Sequence, residues 1–269
     1  MPEMSSHMLI IGCGNMGGAM LRGWIAAGRS PSFFTVIDPA VQNLPEGVRH
    51  VSSADALDEV FDTVLIGIKP QMLDSLAPDI RQRIAPGARV ISILAGTMTP
   101  TLAALFPDTR IVRLMPNLSA ELGLSPLGLF SPSLSVAERE ALNAFVRPLG
   151  TPVWIEDESQ MDAVTALAGS GPAFVYRFID AMAKGGVAAG LPEDTSARLA
   201  LATVEGAARL AAESSASPST LAQRVTSPGG TTAAGLAVLD AEDGLSKLVE
   251  ETLKAARDRG RELAKGEKT

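Results

Sequence analysis

The sequence predicts an α/β protein in two parts, a doubly wound sheet domain over residues 1–157 and an all-helical domain over 158–269. Three observations lead there. Short Ile-, Val- and Leu-rich runs alternate with helix-length segments through the first part. The runs are apolar on both faces, as strands of a covered parallel sheet are. From "DESQMDAVTALAG" (157–169) onward no strand-like run remains, and Ala/Leu-rich segments take over.

In chain order, "MLIIG" (8–12), "FFTVID" (33–38), "TVLIGIK" (63–69), "ARVISILAG" (88–96) and "TRIVRLMP" (109–116) read as strands. Helices over about 15–28, 53–60, 71–84 and 99–105 separate them, and right-handed crossovers follow from that order. A strand-helix-strand passage over about 127–155 completes the sheet. In the second part, helices over about 172–189, 193–213 and 231–265 are punctuated by "GLPED" and "SASPS". "ARLALATVEGAARLAA" (197–212) is apolar around most of its circumference, and such a helix is buried on several sides. So short a domain cannot cover it alone, so a second copy of the chain is expected there.

Composition narrows the function classes. A chain of 269 residues, 46% hydrophobic and 20% charged, is that of an ordinary globular protein, with aromatics at only 4%. A net charge of -7 argues against a general grip on nucleic acid or on an anionic membrane. Cys13 is the lone cysteine, so no internal disulfide forms, and no metal-ligand spacing is present. No apolar run approaches the roughly 18 residues of a spanning helix. "MPEMSSHMLIIG" lacks the pattern of a secretory signal, and a cytoplasmic location is expected.

"GCGNMG" places Gly12, Gly14 and Gly17 in a GxGxxG spacing between the first strand and the first helix. That context gives the spacing meaning as a Rossmann-type dinucleotide turn. Gly12 permits the tight turn, Gly14 lets backbone approach a pyrophosphate, and Gly17 lets helix pack on strand. The helix N-terminus then favours the phosphate charge. Asp38 ends the second strand. It reads either as a ligand of the adenosine ribose, which favours NADH over NADPH, or as a turn-forming residue before Pro39. Cys13 and Met16 read as packing residues. "IKPQ" (68–71) and "LMPN" (114–117) follow two other strands, which makes Lys69, Pro70, Pro116 and Asn117 cofactor or substrate neighbours.

The missing residues point to the chemistry. Carbonyl reduction needs a proton relay, usually His or Lys. The only histidines are His7, before the first strand, and His50, in an apparent loop. In hydroxyacid dehydrogenases a lysine follows a glycine-rich turn, and the matching turn "GSGPAFV" (169–175) offers Val175 instead. An imine can arrive already protonated, so the protein need mainly orient its ring and hold its charges. "VTSPGGTTAAGL" (225–236) suits that, with a nest of backbone N–H groups for a carboxylate and a threonine hydroxyl for the nitrogen. Its structural reading is a helix start with Ser227 or Thr231 as N-cap.

Together these segments resemble the pyrroline-5-carboxylate reductase family over nearly the whole chain. The resemblance rests on "GCGNMGGAM", "IKPQ", "RLMPN", "DAVTALAGSGPAF" and, above all, "VTSPGGTTAAGLAVLD". It implies reduction of Δ1-pyrroline-5-carboxylate to L-proline with NADPH or NADH, the last step of proline biosynthesis. It implies dimers through interlocked helical domains, often assembled into decamers. Carried over by motif, Gly12, Asn15, Met16 and Gly17 hold the cofactor phosphates, and Ile68, Lys69 and Pro70 line the cleft. Ala95, Pro116 and Asn117 lie near the nicotinamide. Ser227, Gly229, Gly230 and Thr231 grip the substrate carboxylate, Thr232 hydrogen-bonds the ring nitrogen, and Ser170 and Gly171 lie close to the ring. Gly171–Pro172 reads equally as a helix start. The chain departs from "MPNTP" at Leu118 and Ser119, and from "LSGSGP" at Ala168. Those departures keep a reductase of six-membered or otherwise altered cyclic imines as the alternative enzyme. A non-catalytic redox sensor is disfavoured because the substrate loop is intact.

Overall fold

The computed structural model describes residues 7–41 and 43–264. The chain divides into two compact units, one running to Gly169 and taking in the chain from Ala256 on, the other Ser170–Ala255. The chain between β8 and Gly169 packs on the sheet.

The first unit holds one sheet of eight strands in the order β3-β2-β1-β4-β5-β6-β7-β8. They are β1 (Met8–Ile11), β2 (Phe34–Ile37), β3 (Arg49–Val51), β4 (Phe61–Ile66), β5 (Ile84–Ser92), β6 (Arg110–Met115), β7 (Ser125–Phe130) and β8 (Gly150–Trp154). Helices α1 (Asn15–Ala26), α2 (Leu73–Arg81), α3 (Thr99–Leu105) and α4 (Val136–Val146) connect strands and cover its faces. Side chains alternate between faces along each strand. Ile10, Val36, Leu65 and Leu114 pack with Trp24 of α1 and Phe145 of α4. Ile11, Val64, Val90 and Ile111 pack with Leu73 and Ile80 of α2 and Leu102 of α3. Trp24 also donates its ring N–H to the Phe145 carbonyl at 3.0 Å, joining α1 to α4.

Three local expectations are corrected. Residues 53–60 form only a single 3-10 turn, Ala54–Ala56, because fully buried Leu57 pulls the chain into the core straight afterwards. The "RHV" of β3 pairs in parallel with β2 although it carries no apolar run, so His50 lies in a strand, where its ring nitrogen donates to the Asp38 carbonyl. β7 runs antiparallel to β6. The link between them is a 3-10 turn, Leu118–Leu122, too short for the crossover a parallel pair needs. β8 then returns parallel to β7 through α4, whose start is fixed by a Ser135–Glu138 capping box.

One buried ion pair ties these elements together. Arg113 of β6 is 2% exposed and pairs with Glu158 at 3.1 Å. Glu158 also accepts the Thr99 N–H at 2.7 Å and the Thr99 hydroxyl at 2.6 Å, capping α3. Just beyond Glu158, α5 (Met161–Val164) widens into a π-turn, Thr165–Gly169.

The second unit contains α6 (Gly171–Ala188), α7 (Glu193–Glu213), α8 (Pro218–Arg224), α9 (Thr231–Leu239) and the first part of α10 (Leu245–Ala264). Among the described residues it has no strand. α6 and α7 touch at backbone distance, since a Cβ on Gly186 would lie 2.0 Å from the Ser196 hydroxyl, which donates to the Ala183 carbonyl. The expected burial of α7 is not met within one chain. Only Ser196 and Ala200 are buried on it, while Leu199 and Leu210 are 53% and 70% exposed. α8 was hidden in "SASPS", where Ser217 caps the helix and Pro218 opens it. The expected single helix over 231–265 is broken at Asp240–Gly244, where the backbone folds back so closely that a Cβ on Gly244 would lie 2.3 Å from the Leu239 carbonyl.

Glu158→Ala leaves the Arg113 guanidinium buried without a counter-charge. Urea unfolding of that variant is expected to show a loss of about 3–5 kcal/mol.

Candidate active site

The glycine turn follows directly from strand pairing. β1 ends at Ile11, Gly12 donates its N–H to the Ile37 carbonyl at 2.9 Å, and its φ of +83° turns the chain outward. A Cβ on Gly12 would meet the Gly67 backbone at 2.8 Å, and one on Gly17 would meet the Gly12 carbonyl at 2.6 Å. A Cβ on Gly14 would meet nothing within 4 Å. Gly12 and Gly17 are therefore required by the protein's own backbone, whereas Gly14 faces open space. That is the arrangement a pyrophosphate needs. α1 starts at Asn15 with Gly14 as N-cap and no side-chain cap, so its opening amides stay available to an anion.

Asp38 lies beside this turn. Its Oδ2 accepts the Cys13 N–H at 2.8 Å and its Oδ1 the Ala40 N–H at 2.9 Å. The carboxylate thus makes the turn expected before Pro39 and also fixes the glycine loop. Each oxygen retains a lone pair for a further donor. Cys13 itself is buried, and burial together with the Asp38 charge pushes its thiol up to about 11, so it stays protonated and inert at neutral pH.

A cleft of about 390 Å³ opens along this edge, lined by Gly12, Gly14, Asp38, Pro39, Ile68 and Lys69, and closed by Met72 and Leu76 at its α2 side. Pro70 begins the 3-10 turn that follows Lys69. Ser52 and Ser53 also line the cleft. Sequence reasoning passed over them because they follow β3, which no apolar run announces.

Ala95, Pro116 and Asn117 do not line this cleft. They follow β5 and β6, which continue the same parallel edge beyond β4. Ala95 is exposed, whereas Pro116 and Asn117 are buried. The remaining candidates belong to the other unit. Ser170 and Gly171 open α6, with Ser170 as its N-cap. The loop before α9 turns at Gly229, whose φ is +69°, and Gly230 donates its N–H to the Ser227 carbonyl at 3.0 Å. The N-cap of α9 is Gly230, not Ser227 or Thr231, and no side chain caps the helix. Ser227, Thr231 and Thr232 are all exposed. The opening amides of α9 thus have no side-chain cap, and three exposed hydroxyls lie in the same stretch of chain.

Comparison with known proteins bears on this geometry. Residues 158–263 match the family model for pyrroline-5-carboxylate reductase dimerisation. Residues 7–96 match the one described as NADP oxidoreductase, coenzyme F420-dependent. Pyrroline-5-carboxylate reductase of Pseudomonas aeruginosa is 35% identical, covering 96% of this chain and 97% of that one. The chain belongs to the pyrroline-5-carboxylate reductase family. Among solved structures, the pyrroline-5-carboxylate reductase of Coxiella burnetii superposes with a TM-score of 0.87 at 31% identity, over 96% of this chain and 98% of that one. The Plasmodium falciparum pyrroline carboxylate reductase, with NADP bound, gives 0.84 at 26% identity, over 97% and 100%.

Two glycine variants separate ligand space from packing. Gly14→Ala is expected to keep its thermal midpoint while cofactor affinity, read by fluorescence titration, falls at least about tenfold. Gly17→Ala is expected to lower the midpoint itself, because its methyl meets a backbone carbonyl.

Proposed function

We propose that this protein is an NADH-preferring pyrroline-5-carboxylate reductase that acts as a homodimer through its helical unit. The activity is reduction of the C=N bond of Δ1-pyrroline-5-carboxylate to L-proline by hydride from a nicotinamide nucleotide. Full-length kinship with that family carries this reading. The nucleotide supplies the hydride; the chain binds, orients and holds charge.

The amides that open α1, with Asn15, Met16 and Gly17, hold the pyrophosphate. Ile68, Lys69 and Pro70 border the dinucleotide, and Ala95, Pro116 and Asn117 approach its nicotinamide end. Asp38 supports NADH, because its anchored carboxylate can accept both ribose hydroxyls and would repel a 2′-phosphate. The substrate carboxylate sits on the amides opening α9, among Ser227, Gly229, Gly230 and Thr231, with Ser170 and Gly171 near the ring. The Thr232 hydroxyl accepts the iminium N–H and so helps to hold the ring, together with the carboxylate contacts. The nitrogen already carries its proton, so no general acid is needed, in keeping with the absence of His and Lys from the segments opening α6 and α9. Exposed apolar residues on α7 such as Leu199, Leu201 and Leu210 support the second copy. No helix among the described residues is long and apolar enough to cross a membrane.

Initial rates with NADH and NADPH in parallel, on pyrroline-5-carboxylate, test the reading. NADH is expected to give the larger kcat/KM by about tenfold or more, and Asp38→Ser to narrow that ratio. Absence of turnover with either nucleotide refutes the proposal. Thr232→Ala is expected to cut kcat/KM by roughly tenfold or more, since a hydrogen bond to a charged group contributes about 1.5–3 kcal/mol. Unchanged kinetics would remove Thr232 from the mechanism.

A further inference from the structure

The end of β6 holds a hydrogen-bond chain around Asn117 whose other members, Ser119 and Ala168, have no part in the reaction as described. Asn117 is 5% exposed, and both ends of its side-chain amide have protein partners. Its Oδ1 accepts the Ser119 N–H at 2.9 Å and also the Ser119 hydroxyl. Its Nδ2 donates to the Ala168 carbonyl at 3.0 Å. The Ser119 N–H settles which end of the amide is oxygen, since a nitrogen there would face another donor. The Asn117 backbone N–H is held in turn by the Ser125 hydroxyl at 2.9 Å.

Ala168 needs this outside donor. It lies in the π-turn Thr165–Gly169, and the residue four positions on is Pro172, which has no N–H. The next amide, that of Ala173, donates to the Ser170 carbonyl at 3.0 Å instead. Asn117 therefore supplies the donor that the local chain lacks, and Ser119 keeps Asn117 turned to do so.

We infer that Ser119 is a positioning residue that sets ring preference, by locking the Asn117 amide against the Ala168 carbonyl and so fixing the chain that runs into Ser170. This rests on the reductase reading above, with Ser170 and Gly171 beside the ring. The lock depends on the residue at position 119. A proline at position 119, as in "MPNTP", would offer Oδ1 neither an N–H nor a hydroxyl. Two of the positions that depart from the family pattern, Ser119 and Ala168, thus meet on one side chain.

The test is kcat/KM on five- and six-membered cyclic imino acids for wild type, Ser119→Ala and Ser119→Thr, with the nucleotide KM and thermal midpoint measured alongside. In Ser119→Ala, kcat/KM for the five-membered ring is expected to fall about fivefold, the worth of one neutral hydrogen bond. The six-membered ring should lose less, so that the ratio between rings drops while the nucleotide KM stays put. Ser119→Thr, which keeps the hydroxyl, should restore the ratio. A Ser119→Ala protein with the wild-type ratio overturns the inference, whether or not its midpoint has dropped, and leaves the reductase reading standing. A wild type inactive on the five-membered ring overturns both.

Discussion

Backbone packed on backbone at the glycine turn is the contact on which the nucleotide half depends. Gly17 lets α1 settle against the Gly12 carbonyl, and Gly12 in turn lies against Gly67 at the end of β4. Those approaches aim the first amides of α1 across the ends of β1 and β4, beside the space left at Gly14. A side chain at either packed position would push the helix away from the strand and spoil that aim. Asp38 reinforces the arrangement from β2 by taking the Cys13 N–H. A single carboxylate thereby shapes the loop and presents negative charge to whatever occupies the cleft.

The two compact units are stabilised in different ways. The sheet unit buries apolar side chains on both faces and closes its far side with Arg113, Glu158 and Thr99. A buried pair of this kind adds little net energy, yet losing either partner strands the other charge in the interior. The helical unit has almost no buried side chains of its own. Its long helix α7 leaves Leu199, Leu201 and Leu210 exposed within one chain. The helical unit is also the part of the chain that matches the dimerisation family model.

Much of the candidate site could be proposed from the sequence because its residues carry local constraints. Gly12, Gly14 and Gly17 follow a spacing with a steric meaning at each position, and "SPGGTT" must interrupt a helix. The twin-faced apolar runs announced most of the strands. Other features escaped for physical reasons. β3 is polar and belongs to the sheet only because β2 offers it an edge. Ser52 and Ser53 follow it into the cleft unannounced. Glu158 read as an ordinary charge before a helix, and nothing local shows that it faces Arg113, 45 residues earlier in the chain.

The sequence by itself determined most of the sheet strands, the glycine turn, the loop before α9 and the family, since each is written in short-range patterns of size, charge and backbone freedom. Only the tertiary structure decided the reversal of β7, the N-cap of α9 at Gly230, and the partners of Asp38, Asn117 and Glu158. Those depend on which distant backbone groups lack a donor or acceptor once the chain is packed. The carbonyl of Ala168, left without an N–H by Pro172 and satisfied by Asn117 from another part of the fold, shows why: hydrogen-bond demand arises locally, but tertiary packing determines what meets it.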